Sequence, residues 1–139
     1  MTDIPGGSLL QVGRVRSALR DRDDAPKQGQ EGAPEAWIEV MDAFASALDG
    51  LAAGQDVVLV TWLHQARRNV LVVHPRDDPN AALAGVFATR SADRPNPLGL
   101  HRVRILEIRG NRLRVWPLEA VDGTPVVDIK PVLPQPVDS

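Results

Sequence analysis

The pattern that decides the fold lies in residues 102–115, which read RVRILEIRGNRLRV. Arginine alternates with aliphatic side chains in both halves, and this period of two is typical of a strand with one buried and one exposed face. Gly110-Asn111 between the halves is a tight-turn signal, so the halves are predicted to pair as an antiparallel hairpin. We expect one face to carry Val103, Ile105, Leu113 and Val115, and the other to carry Arg102, Arg104, Arg112 and Arg114.

Strand patterns continue on both sides of this hairpin. Apolar and β-branched runs predict strands at residues 11–17, 56–63, 70–74, 85–89 and 126–129. One main helix is expected at about residues 34–50, because apolar side chains recur there at helical spacing after Pro34. Its apolar stripe consists of Trp37, Met41, Phe44, Leu48 and Leu51. Many short strands with one helix indicate a mainly β fold, either an antiparallel barrel or a sandwich.

The composition is that of one ordinary domain. The chain has 139 residues, 43% of them hydrophobic and 24% charged. We expect a single domain over residues 1–139, with a core at about 11–131 and loose ends at 1–7 and 133–139. The absence of cysteine excludes disulfides and thiolate metal sites. No apolar run approaches the roughly 20 residues that cross a bilayer, and no secretory signal is visible, so a cytoplasmic protein without membrane contact is expected.

Charge is distributed unevenly along the chain. Residues 86–116 contain seven arginines against Asp93 and Glu107, a local charge of +5, whereas the whole chain carries −2. Such asymmetry suits an anionic ligand or a phosphate backbone. The alternative is a solvated, arginine-rich sheet face, and charge alone does not separate the two.

Several common chemistries have no motif in this sequence. It contains no G-x-G-x-x-G after a strand, no G-x-x-x-x-G-K-[ST] and no G-x-S-x-G, so Rossmann, P-loop and serine-hydrolase sites lack support. The three histidines form no metal motif. His74 with Asp77 and Asp78 offers ligand types for a divalent cation, but a solvated turn is the favoured interpretation. No metal is predicted.

The positive signal is the stretch GVFATRSADRPNPLGL at residues 85–100. Pro95 and Pro97 fix the backbone and push Arg94 and Asn96 into extended conformations. Prolines donate no N–H, so the stretch is not an ordinary central strand. It is predicted to be a rigid ribbon that presents Arg94 and Asn96, and such ribbons are suited to holding a small ligand in one pose. From the pattern alone, however, a rigid surface loop is the favoured interpretation.

Two blocks of sequence, GVFATRSADRPNPLGLHRVRILEI at 85–108 and LEAVDGTPVVDIKP at 118–131, resemble the signature of the TsaA-like (TrmO) family of tRNA methyltransferases. Weaker similarity runs through VGRVRS, DAPKQG and VVLVTWLH. The resemblance implies a non-Rossmann antiparallel β-barrel (TsaA/YaeB-like) that works as a homodimer and binds S-adenosylmethionine near the subunit interface. In the tRNA-modifying relatives the methyl acceptor is N6 of a threonylcarbamoyl-adenosine beside the anticodon, so tRNA is the expected partner.

The resemblance also implies which residues form the site. An arginine suits the carboxylate of the cofactor, and apolar walls suit its adenine. Asp122 is the candidate base for the acceptor proton, and Arg94 and Asn96 complete the predicted catalytic set. The predicted cofactor contacts are Pro26, Lys27, Gln28, His64, Gln65, Arg90, Leu100, Leu118, Glu119, Ala120 and Val121.

Structural roles are open alternatives for several of these positions. His64 could be a core histidine bonded to backbone, Arg90 an ion-pair partner, and Asp122-Gly123 a turn. Asp128 and Lys130 could form a structural pair.

The sequence departs from the family pattern in three places. Glu119 stands where aspartate is common, and Val132 stands where tyrosine follows D-I-K-P. Full-length tRNA-modifying members also carry a C-terminal extension that helps to hold tRNA, whereas this sequence ends at Ser139. Two alternatives to a tRNA methyltransferase therefore stay open: a methyltransferase for a small molecule, and a non-catalytic module that binds S-adenosylmethionine.

Overall fold

The computed structural model describes residues 4–22 and 32–134. This part of the chain contains eight strands and three 3₁₀ helices, joined by loops and turns. The strands are β1 Gly13–Arg16, β2 Ala36–Val40, β3 Asp56–Trp62, β4 Val72–Val73, β5 Ala84–Gly85, β6 Leu98–Arg109, β7 Arg112–Trp116 and β8 Pro125–Pro131. The 3₁₀ helices are Asp42–Leu48, Pro75–Asp77 and Val86–Ala88. None of the helices in these ranges is long and apolar enough to pass through a bilayer.

Six of the strands close into a barrel in the order β1-β2-β7-β6-β3-β8, with β8 pairing back to β1. Every neighbouring pair is antiparallel. Closure removes the open edges that a sheet would otherwise expose. The prediction of a mainly β, antiparallel barrel is therefore confirmed. Strands β4 and β5 form a separate two-stranded sheet.

The hairpin predicted around Gly110-Asn111 is formed by β6 and β7. Its register pairs Ile105 with Val115 and Ile108 with Leu113, with a bulge between Ile105 and Glu107. The predicted inward face is confirmed, because its four aliphatic side chains are at most 1% exposed. They join an aliphatic core that also contains Val15, Ile38, Val57, Leu59, Leu118 and Val126.

The helix predicted at about residues 34–50 is wrong. Its first part is strand β2 and its second part is the 3₁₀ helix Asp42–Leu48. Ala36, Ile38 and Val40 are buried in alternation, since β2 lies between β1 and β7. The same residues therefore carry a period of two as well as a helical stripe, and pairing with two neighbouring strands outweighs the local helical pattern.

The strands predicted at 70–74 and 85–89 are much shorter than expected. Only Val72–Val73 and Ala84–Gly85 pair, and the chain then turns into the 3₁₀ helix Val86–Ala88. The guanidinium of Arg94 donates to the carbonyls of Val86 and Thr89. A side chain therefore satisfies backbone oxygens that a neighbouring strand would satisfy in a sheet.

Candidate functional site

A large open groove is formed mainly by four segments: the chain after β3, residues 87–96, the first half of β6, and the connection between β7 and β8. Arg22, Asp56 and residues 74–77 also line it. Its volume is about 1420 Å³. Pockets for small ligands commonly measure about 300–1,000 Å³, so the groove has room for an extended ligand. The predicted site residues that line it are His64, Gln65, Arg90, Arg94, Asn96, Leu100, Glu119, Ala120 and Val121.

The other predicted site residues do not line the groove. Pro26, Lys27 and Gln28 lie outside the described residues. Leu118 is fully buried in the barrel core. Asp122 Oδ1 accepts a hydrogen bond from Ser17 N–H at 2.9 Å, and Oδ2 accepts one from Arg20 Nη1 at 3.0 Å. Asp122 therefore anchors the chain that follows β1, and its role as a base stays a prediction.

Arg90 and His64 are the two groove residues most available to a ligand. Both side chains are exposed and line the groove, and neither makes a hydrogen bond or ion pair within the described part of the chain. Gln65 differs, because its Oε1 accepts a hydrogen bond from Arg22 N–H at 3.1 Å. An unpaired guanidinium in a groove is the group expected to bind a carboxylate in bidentate geometry.

The proline ribbon at residues 94–97 is held by arginines. Arg68 Nε donates to Pro95 O at 2.7 Å and its Nη2 donates to Asn96 Oδ1 at 3.1 Å, while its guanidinium lies 4.9 Å from the centre of the Trp62 ring. Leu63 N–H donates to Pro97 O at 2.8 Å. The ribbon is thus fixed in place. The guanidinium of Arg94 donates to the backbone carbonyls of Val86 and Thr89, so Arg94 stabilises the wall of the groove.

Asp93 is the anchor of this wall, and sequence reasoning missed it. Its side chain accepts hydrogen bonds from Arg22 Nη1 at 2.8 Å, Arg67 N–H at 2.8 Å and Arg67 Nη2 at 3.0 Å. Burial alone would raise the pKa of Asp93, but these donors outweigh it and lower the pKa to about 2. Nothing in the pattern R-S-A-D-R distinguishes a buried aspartate from a solvated one, so no sequence signal was available.

A second missed feature is a buried polar chain at the floor of the groove. His101 is 5% exposed; its Nε2 lies 2.7 Å from Thr61 Oγ1 and its Nδ1 lies 2.6 Å from Glu119 Oε1. A Cβ on Gly99 would come within 2.5 Å of Thr61 Oγ1 and 2.6 Å of His101 Nε2, so only glycine fits there. The alternation that places Val103 and Ile105 on the inward face of β6 extends to His101, so the burial of His101 had a signal in the sequence, but its contacts with Thr61 and Glu119 had none.

The rim of the groove is apolar. Phe87 is 89% exposed, and Leu98, Leu100 and Trp116 are 40–54% exposed. An exposed cluster of large apolar side chains beside polar groups is characteristic of a binding surface.

The predicted arginine face lies on the outside of the barrel, but its members are largely paired. Arg102 and Arg104 both bind Asp56, and their hydrogen bonds lower the pKa of that carboxyl. Arg114 binds Glu35 and Glu107. Arg112 stacks 4.8 Å from the centre of the Trp37 ring. Four of the seven arginines in residues 86–116, namely Arg102, Arg104, Arg109 and Arg114, form ion pairs with Asp56, Glu107 and Glu35, so the positive charge of this segment is partly neutralised.

A closed six-stranded barrel with a groove beside its proline ribbon defines a small antiparallel β-barrel protein outside the Rossmann class. The family model described as the tRNA-methyltransferase O N-terminal domain matches residues 14–139. The chain therefore belongs to this family, and the resemblance found in the sequence is confirmed.

Individual relatives agree with this assignment. A protein of Methanothermobacter thermautotrophicus, named "Probable S-adenosyl-L-methionine-binding protein", is 47% identical over 88% of this chain and 88% of its own length. An Archaeoglobus fulgidus S-adenosyl-L-methionine-binding protein is 39% identical over 91% of this chain and 90% of its own length. The crystal structure of TrmO from Pseudomonas aeruginosa superposes with a TM-score of 0.74 at 30% identity, and covers 100% of this chain. This chain spans 62% of the length of that TrmO chain.

Proposed function

We propose that the protein is an S-adenosylmethionine-dependent methyltransferase and that the groove is its cofactor site. The proposal rests on one observation: predicted contacts from four separate segments line the same groove, where Arg90 and His64 have no hydrogen-bond or ion-pair partner among residues 4–22 and 32–134. Arg90 would bind the carboxylate of the cofactor, and Leu98, Leu100 and Trp116 would contact the adenine. The names of the relatives support this cofactor.

The rigid wall suits the chemistry. The bound cofactor supplies an electrophilic methyl group on a sulfonium, and transfer depends mainly on holding the acceptor about 3–3.5 Å away in line. The ribbon contacts made by Arg68 and the Asp93 anchor restrict the wall before any ligand arrives. The protein therefore pays little ordering entropy when the ligands bind.

The acceptor that we propose is tRNA, at N6 of threonylcarbamoyladenosine. The family description supports tRNA, and Arg112 offers an exposed cation with no carboxylate partner in the described ranges. If tRNA binds, Arg112→Ala should flatten the salt dependence of affinity by about one unit of slope per lost phosphate contact. Absence of both salt-sensitive tRNA binding and methylation of modified tRNA would favour a small-molecule acceptor.

We also propose a homodimer, in which the apolar rim of the groove meets a second subunit. Phe87, Leu98, Leu100 and Trp116 expose apolar surface that a partner subunit would bury. Analytical ultracentrifugation of cofactor-loaded protein at micromolar concentration should give twice the chain mass, and a monomer would contradict this proposal.

A binding module without catalysis is the rival function, since two relatives are named only for binding. The rival and the methyltransferase share the groove but differ in turnover. Release of S-adenosylhomocysteine in the presence of a panel of tRNA and small-molecule acceptors would establish the enzyme, whereas binding without turnover on every acceptor would establish the module.

The cofactor site is tested by isothermal titration of S-adenosylmethionine into the wild type and Arg90→Ala. Loss of a charge-assisted hydrogen bond costs roughly 1.5–3 kcal/mol, so affinity should fall at least about tenfold. Arg14→Ala is the matched control, because Arg14 is an exposed arginine that pairs with Glu39 away from the groove. Unchanged affinity in a folded Arg90→Ala protein would refute the role of Arg90.

A further inference from the structure

Glu119 is held by one carboxylate oxygen and leaves the other open to the groove. Oε1 lies 2.6 Å from His101 Nδ1, whereas Oε2 has no hydrogen-bond partner within the described residues. No side-chain nitrogen or oxygen in those residues is both buried and unpartnered, so Oε2 reaches accessible space. Glu119 lines the groove, and its side chain is 17% exposed. The open oxygen is available to a ligand there.

The contact with His101 fixes the direction of this carboxylate. An ionised carboxylate only accepts hydrogen bonds, so Nδ1 of the ring donates to Glu119, while Nε2 shares a hydrogen bond with the Thr61 hydroxyl. Both His101 and Thr61 are buried, which leaves the ring little freedom to rotate. Thr61 and His101 therefore hold Glu119 in one orientation.

Two other carboxylates that line the groove are occupied by arginine. Asp56 accepts from Arg102 and Arg104, and Asp93 accepts from Arg22 and Arg67. Glu119 is held by a histidine instead, and within the described residues no guanidinium pairs with it. Asp122 lies outside the groove with both of its oxygens in hydrogen bonds.

We propose that Glu119 is the catalytic proton acceptor and that His101 is its positioning residue, an inference that rests on the proposed methyltransferase function. The lone pair of an acceptor N–H nitrogen attacks the methyl carbon, and the C–S electron pair returns to sulfur, which becomes a neutral thioether. The proton of the methylated nitrogen moves to Glu119 Oε2. A sulfonium and a carboxylate thus become a thioether and a carboxylic acid, and charge balances. The acceptor class is an N–H nucleophile, because a weakly basic nitrogen must lose this proton.

The groove offers partners of opposite charge for the carboxylate and the sulfonium of the cofactor. In this arrangement Arg90 would bind the carboxylate, and the open oxygen of Glu119 would lie beside the sulfonium methyl. Glu119 must then lie within hydrogen-bond reach of a nitrogen placed at the position of the transferred methyl group. This consequence can be tested without knowing the acceptor.

The test compares two ligands by isothermal titration: S-adenosylhomocysteine, which lacks the methyl, and sinefungin, which carries an ammonium group in its place. The wild type should bind sinefungin at least about tenfold more tightly than S-adenosylhomocysteine, because the ammonium group forms a charge-assisted hydrogen bond with Glu119. In Glu119→Gln, which keeps the shape of the side chain, this preference should fall by about tenfold while the affinity for S-adenosylhomocysteine stays the same.

Further variants separate positioning from structure. His101→Asn keeps a nitrogen donor towards Glu119 and should retain the preference for sinefungin, whereas His101→Leu should lose it. Glu39→Gln is the matched control, since Glu39 pairs with Arg14 on the outside of the barrel, and it should not change either affinity.

Three results would overturn the proposal. If folded Glu119→Gln still prefers sinefungin to the same degree, Glu119 does not lie beside the position of the methyl group. If its affinities for both ligands fall equally, Glu119 contacts a part that the two ligands share. Loss of the preference in Asp122→Asn alone would transfer the role to Asp122. If the wild type binds neither ligand, the proposed cofactor site itself fails, and this outcome is distinct from the other three.

Discussion

The barrel strands and residues 63–97 are stabilised in different ways. The barrel strands pair around an aliphatic core in which Ile38, Leu59, Ile105 and Leu113 are completely buried. Residues 63–97 contain only two strands of two residues each. Their wall of the groove is fixed by charged side chains, with Asp93 and Arg68 at the main contacts. Hydrophobic burial therefore determines the barrel, and a small number of charge-assisted hydrogen bonds determine the site.

The largest effect should come from the barrel. Ile105→Ala removes a fully buried side chain and should lower the free energy of unfolding by about 2–5 kcal/mol, from lost transfer energy and a cavity. Urea denaturation measures this. Leu71→Ala, at a leucine 65% exposed in residues 63–97, should change stability by less than about 0.5 kcal/mol. Equal losses of unfolding free energy in the two variants would contradict the proposed difference between the barrel and residues 63–97.

The Asp93 anchor should come next. Its pKa falls from 3.8 to about 2 on folding, so its ionised form should contribute about 2 kcal/mol at neutral pH. A depressed pKa means that this contribution is present above pH ~4 and is lost as the pH falls towards ~2. Asp93→Asn should therefore be less stable than the wild type at pH 7.

The measurement is a comparison of melting temperatures for the wild type and Asp93→Asn across this pH range. The two melting curves should converge as the pH approaches ~2. Hydrogen exchange at residues 63–97 should rise in Asp93→Asn more than exchange in β6 and β7, because local opening follows local stability. If the difference in melting temperature between the two proteins does not change with pH, Asp93 does not stabilise the fold through its charge.

The same division explains how far the sequence could be interpreted. The alternation in residues 102–115 predicted the hairpin and its buried face, since a period of two has a direct structural meaning. The helix prediction for residues 34–50 failed because two patterns overlap there: Ala36, Ile38 and Val40 have the spacing of a strand, while Trp37, Met41 and Phe44 have the spacing of a helix. Pairing with β1 and β7 decided between them, and such long-range pairing has no local signal.

Site residues followed a similar rule. Arg90 and Glu119 were assigned from the family-like blocks at 85–108 and 118–131, and His64 from the weaker similarity in VVLVTWLH. The structure brings all three to one groove. Asp93 and the contact between Glu119 and His101 join residues that are distant in sequence. They depend on tertiary burial, so neither spacing nor composition could predict them.

A smaller effect on stability should come from the proline ribbon. Replacing both Pro95 and Pro97 by alanine should cost about 0.4–1 kcal/mol per residue, chiefly by enlarging the unfolded ensemble. Affinity for S-adenosylmethionine should fall as well, because the groove wall loses its preorganisation. Thermal unfolding and calorimetry on the same double variant measure the two effects. A collapse in melting temperature with full affinity in the remaining folded protein would make the ribbon purely structural.

A crystal structure of the complex with S-adenosylmethionine would show whether the groove beside the barrel is the cofactor site. The cofactor should lie in the groove with its carboxylate within about 3 Å of the Arg90 guanidinium. Its methyl group should face the Oε2 atom of Glu119. Cofactor bound at another surface, or bound in the groove with its carboxylate away from Arg90 and its methyl away from Glu119, would contradict the assignment.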